Sequence, residues 1–176
     1  MSIETEQYQG HTIEVDYDSD PISPREDDNI CVFHIAHRNY SFGDKNYNSF
    51  ESIEEARKQA LRNKDIVLPL YMLDHSGITI SLSPFSCPWD SNQVGFVQIP
   101  REKMIKEFSK KNFTKALKQK GLDIAKLEVK VLDNFIRGEV YSYAVDGDVC
   151  GGFYSVEDAI EYAKNEIVVT NITVNS

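Results

Sequence analysis

Residues 139–159, EVYSYAVDGDVCGGFYSVEDA, carry the clearest structural signals in the chain. Two stretches that suit strands flank Asp146-Gly147, and an Asp-Gly pair in this position is a strong signal for a two-residue hairpin turn. The hairpin is followed by Ser155-Val156-Glu157-Asp158, in which Ser155 can open a capped helix. We therefore predict two strands and a helix over residues 138–168, with a last possible strand at Val168–Val174.

A similar order of elements is predicted near the other end of the chain. His11–Asp18 and Ile30–His37 alternate apolar with polar residues, which is typical of half-buried strands. Ser52 and Glu55 then have the spacing of a capping box, which predicts a helix that ends near Asn63. The second strand is expected to turn His34 to one face of its sheet and its apolar residues to the other.

The middle of the chain is rich in predicted strands and ends in a basic helix. A hairpin turn between two of these strands is expected at residues 74–77, and Gly121 is expected to end the basic helix. The predicted elements are strands at Val67–Leu73, Ile78–Leu82 and Val94–Ile99, a helix from Arg101, and a helical or mixed segment at Ile124–Phe135.

These elements predict an α+β fold with a mainly antiparallel sheet. The length of 176 residues suits one domain, so we predict a single domain over residues 1–176. Within it, residues 11–64 and 138–168 are expected to form two ββα-like units that flank the strand-rich segment and the basic helix.

Charge is distributed unevenly along the chain. The net charge is −9, yet residues 101–130 hold ten Lys/Arg against four Asp/Glu. Residues 1–30 hold nine acids and one base, and residues 131–176 hold eight acids and two bases. A dipolar surface of this kind suits a protein that docks on a charged partner, although a solvated helix with an acidic tail has the same composition.

The chain is expected to stay in the cytoplasm. It has no apolar run near the length of about 20 residues that a membrane span needs. Its first ten residues are polar and acidic, unlike a secretory signal. The three cysteines, at positions 31, 87 and 150, have no CxxC spacing, which indicates reduced thiols. We expect a monomer or a homodimer.

The candidate catalytic residues are His75, Cys87 and Asp90. Asp74, His75 and Ser76 have the residue types of a nucleophilic triad, but adjacent side chains in an extended chain point to opposite faces, which favours a polar turn. Cys87 would need a base such as His75 to act as a nucleophile. The alternative is that the prolines and aromatic residues around it form a packed loop.

We expect no metal and no cofactor. His34 and His37 are three residues apart in a predicted strand and should face opposite ways, and no spacing matches a structural zinc site. The phosphate-binding patterns GxxxxGK[ST] and GxGxxG are absent. Direct nucleic-acid binding is not expected either, because the negative net charge outweighs the lysine-rich stretch 103–120.

Two stretches of the chain resemble a family of small proteins that phages, plasmids and integrative elements encode. They are Asp20-Pro21-x-x-Pro24-Arg25-Glu26-x-Asp28-Asn29 and the central motif DHSG at 74–77 with PFSCPWDSNQVGF at 84–96. The resemblance covers about residues 11–110. It departs from the family where Asp27 stands for Trp and Asn92 for Gly. The resemblance implies a mobile-element setting, and it carries over no catalytic role.

Three functional hypotheses follow. The first is an anti-defence protein that binds and inhibits a host enzyme, such as a CRISPR or restriction nuclease. The second is a small hydrolase or nucleotide-processing enzyme with a site around His75, Cys87 and Asp90, for which Arg25, Asp28 and His34 are further candidates. The third is architectural, with the central motif as a clasp. For the first hypothesis the candidate binding residues are Arg25, Asp28, Asp74, Trp89, Lys103, Lys106, Lys110 and Lys111.

Overall fold

The structure, a computed structural model, describes residues 2–26, 28–75, 77–86 and 91–174. It confirms an α+β fold in which most strand pairs are antiparallel. The strands are β1 (Glu4–Tyr8), β2 (His11–Tyr17), β3 (Val32–Ile35), β4 (Lys45–Asn46), β5 (Ile66–Asp74), β6 (Ile78–Ser81), β7 (Ser91–Ile99), β8 (Tyr141–Val145) and β9 (Asp148–Phe153). The helices are α1 (Phe50–Arg62), α2 (Arg101–Glu107), α3 (Lys115–Ile136) and α4 (Val156–Val174).

The chain divides into two compact units. Residues 1–23 and 138–176 form one unit, which we call the acidic unit because it holds 13 Asp/Glu and one Lys/Arg. Residues 24–137 form the other, named the central unit. The prediction of one domain over residues 1–176 stays a prediction.

The acidic unit is a four-stranded sheet covered on one face by a helix. Its strand order is β1-β2-β8-β9, and every neighbouring pair is antiparallel. Asp146 and Gly147 have φ values of 52° and 97°, as a two-residue turn with both central residues left-handed requires. The predicted hairpin is therefore confirmed. Ser155 caps α4 as predicted, accepting a hydrogen bond from the Asp158 amide at 3.1 Å.

The core of the acidic unit lies between α4 and the sheet. Ile13 and Val15 of β2 are fully buried against Ala159, Ala163 and Ile167 of α4. These three residues are four apart, so they lie on one face of a helix. The prediction of a strand at Val168–Val174 is wrong, because this helix continues through those residues.

The central unit is a five-stranded sheet with helices on both faces. Its strand order is β4-β3-β7-β5-β6, with β3 and β4 as the parallel pair. Phe33 and Ile35 face the core that α3 covers, whereas His34 faces the layer that α1 covers, so the predicted alternation is confirmed. The four predicted strands in this unit all form, with the Asp74–Gly77 connection between β5 and β6.

Two predicted helix boundaries are wrong. Ser49, not Ser52, caps α1, and its hydroxyl accepts from the Ser52 amide at 3.2 Å. Gly121 does not stop a helix, because it lies buried inside α3. A Cβ at Gly121 would lie 3.2 Å from both Ile99 Cγ2 and Met104 Cε, so glycine allows a close approach of α3 to its neighbours.

The two expected ββα-like units have different outcomes. Residues 138–168 form a hairpin followed by a helix. In residues 11–64, β2 pairs with β8 and β3 pairs with β7, so the two strands belong to different sheets. The hairpin partner of β2 is instead β1, which was not predicted because its five residues, ETEQY, show no apolar alternation.

No helix in the described part of the chain is both long enough and apolar enough to cross a membrane.

Candidate functional site

Arg25, a predicted binding residue, lies in a buried ion network of the central unit. Its guanidinium donates to both carboxylate oxygens of Asp44, at 3.1 and 2.8 Å, and to Glu128 Oε2 at 2.9 Å. Burial lowers the pKa of Arg25, but the hydrogen bonds and charges of the two carboxylates outweigh burial and raise it. With only 8% of its side chain exposed, Arg25 holds the segment before β3 against α3.

Two further predicted binding residues pair with each other. Lys103 Nζ donates to Asp28 Oδ1 at 2.5 Å and to the Asn29 carbonyl at 2.6 Å. The hydrogen bond and charge of Lys103 hold the pKa of Asp28 below its usual value. The Asp28 side chain is 88% exposed, so solvent screens this pair and the pair contributes little to stability.

Lys106, Lys110 and Lys111 are exposed, as a contact surface would require. Lys106 lies in α2, and the other two lie in the connection to α3. These lysines give the central unit a basic surface. Residues 101–120 hold eight Lys/Arg and two acids.

The predicted residues Asp74 and His75 lie at one edge of the five-stranded sheet. Strands β3 and β5 both run antiparallel to β7, so both end at the edge where β7 begins at Ser91. Tyr40, from the loop after β3, donates its hydroxyl hydrogen to Asp74 Oδ2 at 3.2 Å across this edge. His37 stacks on Tyr40 with ring centroids 4.9 Å apart. The remaining candidates Cys87, Trp89 and Asp90 lie outside the described residues.

His34 does not lie with Asp74, Tyr40 and His37 at the strand ends. It is buried under α1, where it accepts from the Tyr47 hydroxyl at 2.8 Å and its other ring nitrogen lies 2.8 Å from Gln98 Oε1. Because an amide oxygen only accepts, the proton of the neutral ring lies on Nε2. Gln98 in turn donates to Asp65 at 2.7 Å. Burial is the main cause that lowers the pKa of His34.

The structure does not bring Arg25 and His34 together. The Arg25 guanidinium lies 4.3 Å from the centre of the Phe33 ring, which faces the α3 layer. His34 stacks on Phe96 at 4.2 Å in the α1 layer. The sheet separates the two side chains. Among the described residues, no group of three or more His, Cys, Asp or Glu is arranged to hold a metal ion.

Charge divides sharply between the two units. The acidic unit contains 13 Asp/Glu and a single Lys/Arg, Lys164, which gives a net charge of −12. The central unit contains 18 Lys/Arg and 15 Asp/Glu, a net charge of +3. Lys164 is 2.6 Å from Glu6, which neutralises one acid. The acidic unit therefore carries a strong negative field.

The sheet face opposite α4 presents part of this charge. Glu14 and Asp16 alternate with the buried Ile13 and Val15 along β2, so they point away from the helix and are exposed. Their partners across the strand pair are Ala144 and Ser142, which are small. The result is an open acidic face over β2 and β8, with a recess that Ser2 and Val149 also line.

A pocket opens on the helix side of the same unit. Its volume is about 120 Å³. Its apolar lining includes Val145 of β8 with Ala163 and Ile167 of α4. Tyr143 also lines the pocket, and its hydroxyl donates to Glu166. Burial and this hydrogen bond raise the pKa of Tyr143, so its hydroxyl stays protonated.

The rim of the pocket is acidic. Asp146, Asp148 and Glu166 line it together with His11. The His11 Nδ1 and Asp146 Oδ2 atoms are 2.5 Å apart, and the carboxylate can only accept, so His11 is the donor. Within the described part of the chain, the Asp148 side chain has no hydrogen-bond or ion-pair partner. We call these four residues and the apolar lining the acidic pocket.

Sequence reasoning missed the acidic pocket and the carboxylates of the Arg25 network. His11 and Asp146 are 135 positions apart, and Arg25 and Glu128 are 103 apart. Local spacing cannot reveal such pairs. The available signal was the regional charge count, which marked both chain ends as acidic.

No protein-family model, curated protein or solved structure matches this chain.

Proposed function

We propose that this protein is a binding protein that docks its acidic unit on a basic surface of another protein and thereby inhibits it. The observation that carries this proposal is the concentration of 13 acids against one lysine in the acidic unit. Opposite surface potentials accelerate association and select the partner. An open acidic sheet face and an acid-rimmed pocket lie within that unit.

The partner class we propose is a host defence nuclease in the host cytoplasm. Nucleases hold phosphates with Lys and Arg, so their substrate channels are basic surfaces. An acidic protein that occupies such a channel excludes the nucleic acid. The resemblance to mobile-element proteins over residues 11–110 supports the same setting, because such elements must survive host defence.

The test is capture and inhibition with matched charge variants. The tagged protein is used to recover partners from a bacterial lysate, and each recovered nuclease is assayed for DNA cleavage with added protein. The test variant is Glu14→Gln/Asp16→Asn on the open sheet face. The control variant is Glu51→Gln/Glu55→Gln in α1, which removes the same charge from exposed positions of the central unit.

We expect wild type and the α1 variant to recover and inhibit a nuclease, and the sheet-face variant to do so at least about tenfold less well, since about 1.4 kcal/mol is tenfold in affinity. Raising the salt concentration should weaken recovery, because it screens exposed charges. Equal recovery by all three proteins would show that the open sheet face does not contribute to the interaction. Recovery of no nuclease would reject the partner class.

A second candidate function has one observation in its favour. Asp74, Tyr40 and His37 lie together where β5 ends, and His75 directly follows Asp74 in the chain. Loops at the ends of strands commonly carry catalytic residues, so we keep a small hydrolase or nucleotide-processing enzyme as the alternative. A screen of phosphate and carboxylate esters that found turnover in wild type, lost in both His75→Ala and Cys87→Ser, would favour it. Turnover that survived both changes would exclude this site.

A further inference from the structure

We propose that the acidic pocket is an anchor for one arginine side chain of the partner. The inference rests on the proposed function and specifies what the acidic unit recognises. Its basis is the combination of an apolar interior with an acidic rim. A cluster of carboxylates on an open surface would attract cations in general, whereas a lined cavity selects by shape.

The size of the pocket suits the end of one side chain. A cavity of 120 Å³ compares with cavities of about 150 Å³ that accept benzene in other proteins. A planar guanidinium with part of its aliphatic stem has similar bulk. Tyr143 and Ile167 are 2% and 5% exposed, so an entering side chain meets a fixed, packed wall.

The chemistry of the rim favours arginine over lysine. A guanidinium presents five N–H donors in one plane and is weakly hydrated, so it tolerates an apolar wall and can reach more than one carboxylate. Asp146 and Glu166 each use one oxygen on an internal partner, His11 and Tyr143 respectively. Their second oxygens and both oxygens of Asp148 remain able to accept. A lysine ammonium would have to lose more hydration to enter.

The charge of the surroundings is consistent with a cationic occupant. Lys164 is the acidic unit's single Lys/Arg, and it lies against Glu6 rather than in the pocket lining. An anionic group would meet three carboxylates, and a neutral apolar group would leave the unpaired Asp148 near it.

The experiment is an NMR titration of the ¹⁵N-labelled full chain with N-acetyl-arginine-N′-methylamide. We expect saturable amide shifts at the β8–β9 turn and around Ala163 to Ile167, with a dissociation constant on the order of 1 mM for so small a probe. The citrulline analogue has nearly the same shape without the charge, and the lysine analogue has the charge without the planar fork. Both should bind at least about fivefold more weakly.

The variant Asp148→Asn/Glu166→Gln removes two rim charges. The amide introduced by Glu166→Gln would keep an oxygen for the Tyr143 hydroxyl, so the fold should persist, and a dispersed amide spectrum checks it. The control Asp158→Asn/Glu161→Gln removes the same charge from exposed positions of α4 outside the pocket. We expect at least about tenfold weaker arginine binding in the first variant and wild-type binding in the second.

Three results would overturn the inference: no saturable shift at the pocket, equal shifts with citrulline, or equal loss of binding in both variants. The same proteins in the capture experiment separate the two proposals. If the pocket variant still recovers a nuclease that the sheet-face variant loses, the anchor is rejected and the proposed function stands. If the pocket binds arginine but no nuclease is recovered by wild type, the proposed function is rejected.

Discussion

One guanidinium, that of Arg25, forms ion pairs with two carboxylates inside the central unit. Replacing Arg25 with Ala leaves Asp44 and Glu128 partly buried without their cation. Removal of one partner from a buried ion network typically costs about 3–5 kcal/mol. We expect the free energy of unfolding, measured with urea, to fall by about 3 kcal/mol in Arg25→Ala. The exposed Arg38→Ala should change it by less than about 0.5 kcal/mol. Equal effects of the two changes would show that the network does not stabilise the unit.

His34 predicts a pH dependence of stability. Its pKa is lowered in the folded protein, chiefly by burial, whereas an exposed histidine titrates near pH 6.5. As the pH falls below about 6.5, the unfolded chain therefore binds a proton that the folded protein does not, and stability decreases. His34 causes no further loss of stability once the pH is below the pKa that this residue has in the folded protein. Urea unfolding at pH 7.5, 6.5 and 5.5 should show a smaller decrease for His34→Gln than for wild type. Parallel decreases would reject His34 as the source.

At the scale of elements, Gly95 determines how closely two strands of the central sheet can pair. A Cβ at this position in β7 would lie 1.9 Å from the backbone carbonyl oxygen of His34 in β3. A backbone atom cannot turn aside as a long side chain can. We expect Gly95→Ala to lower the free energy of unfolding by about 3 kcal/mol or more. Gly10→Ala, at a left-handed turn with open space around it, should cost only about 1 kcal/mol. Similar costs would mean that β3 and β7 can shift apart.

The α1 cap gives a second prediction for an element. The Ser49 hydroxyl accepts from the Ser52 amide, whereas the Ser52 side chain lies against the Ser49 hydroxyl. Ser49→Ala should cost about 1 kcal/mol, and Ser52→Ala a few tenths. A larger loss of stability in Ser52→Ala than in Ser49→Ala, measured by thermal or urea unfolding, would show that Ser52 is the cap, as the sequence pattern predicted.

The elements that could be predicted have local causes. Asp146-Gly147 requires no distant partner to form its turn, and Ser155 caps the helix that directly follows it. Gly121 was misread because its buried neighbours, Ile99 and Met104, come from elsewhere in the chain. Strand β1 was missed because an edge strand with little burial has little apolar pattern. Ser49 and Ser52 are both acceptable caps, and only the geometry of the preceding β4 connection distinguishes them.

At the scale of the whole molecule, the two units differ in their continuity along the chain: the acidic unit is built from two separate segments. The central unit is one continuous segment with its own core. We expect residues 24–137, expressed alone, to fold and to unfold in one cooperative transition that circular dichroism follows in urea. With its net charge of +3 the fragment should bind a cation exchanger near pH 7. An unfolded fragment would instead favour the single domain that the length predicts.

The candidate site could be predicted only as a regional charge. The counts over residues 1–30 and 131–176 marked the acidic ends, but not that both ends build one sheet. The pairing of β2 with β8 brings Ile13 opposite Val145. No spacing rule links those positions, so neither the open acidic face nor the acidic pocket was visible before the fold.

The pairing of β2 with β8 also sets an order of events during synthesis. Proteins are made at about 5–20 residues per second, and a segment folds only after its partners have left the ribosome. The central unit emerges whole while the first hairpin still has no β8 to pair with and no α4 to cover Ile13 and Val15. Translation that stops before residue 138 would release a protein with a complete central unit, an unmatched apolar strand and no complete acidic unit. Such a product would be a target for chaperones and proteases, so the cell's quality control would remove incomplete copies before they could act.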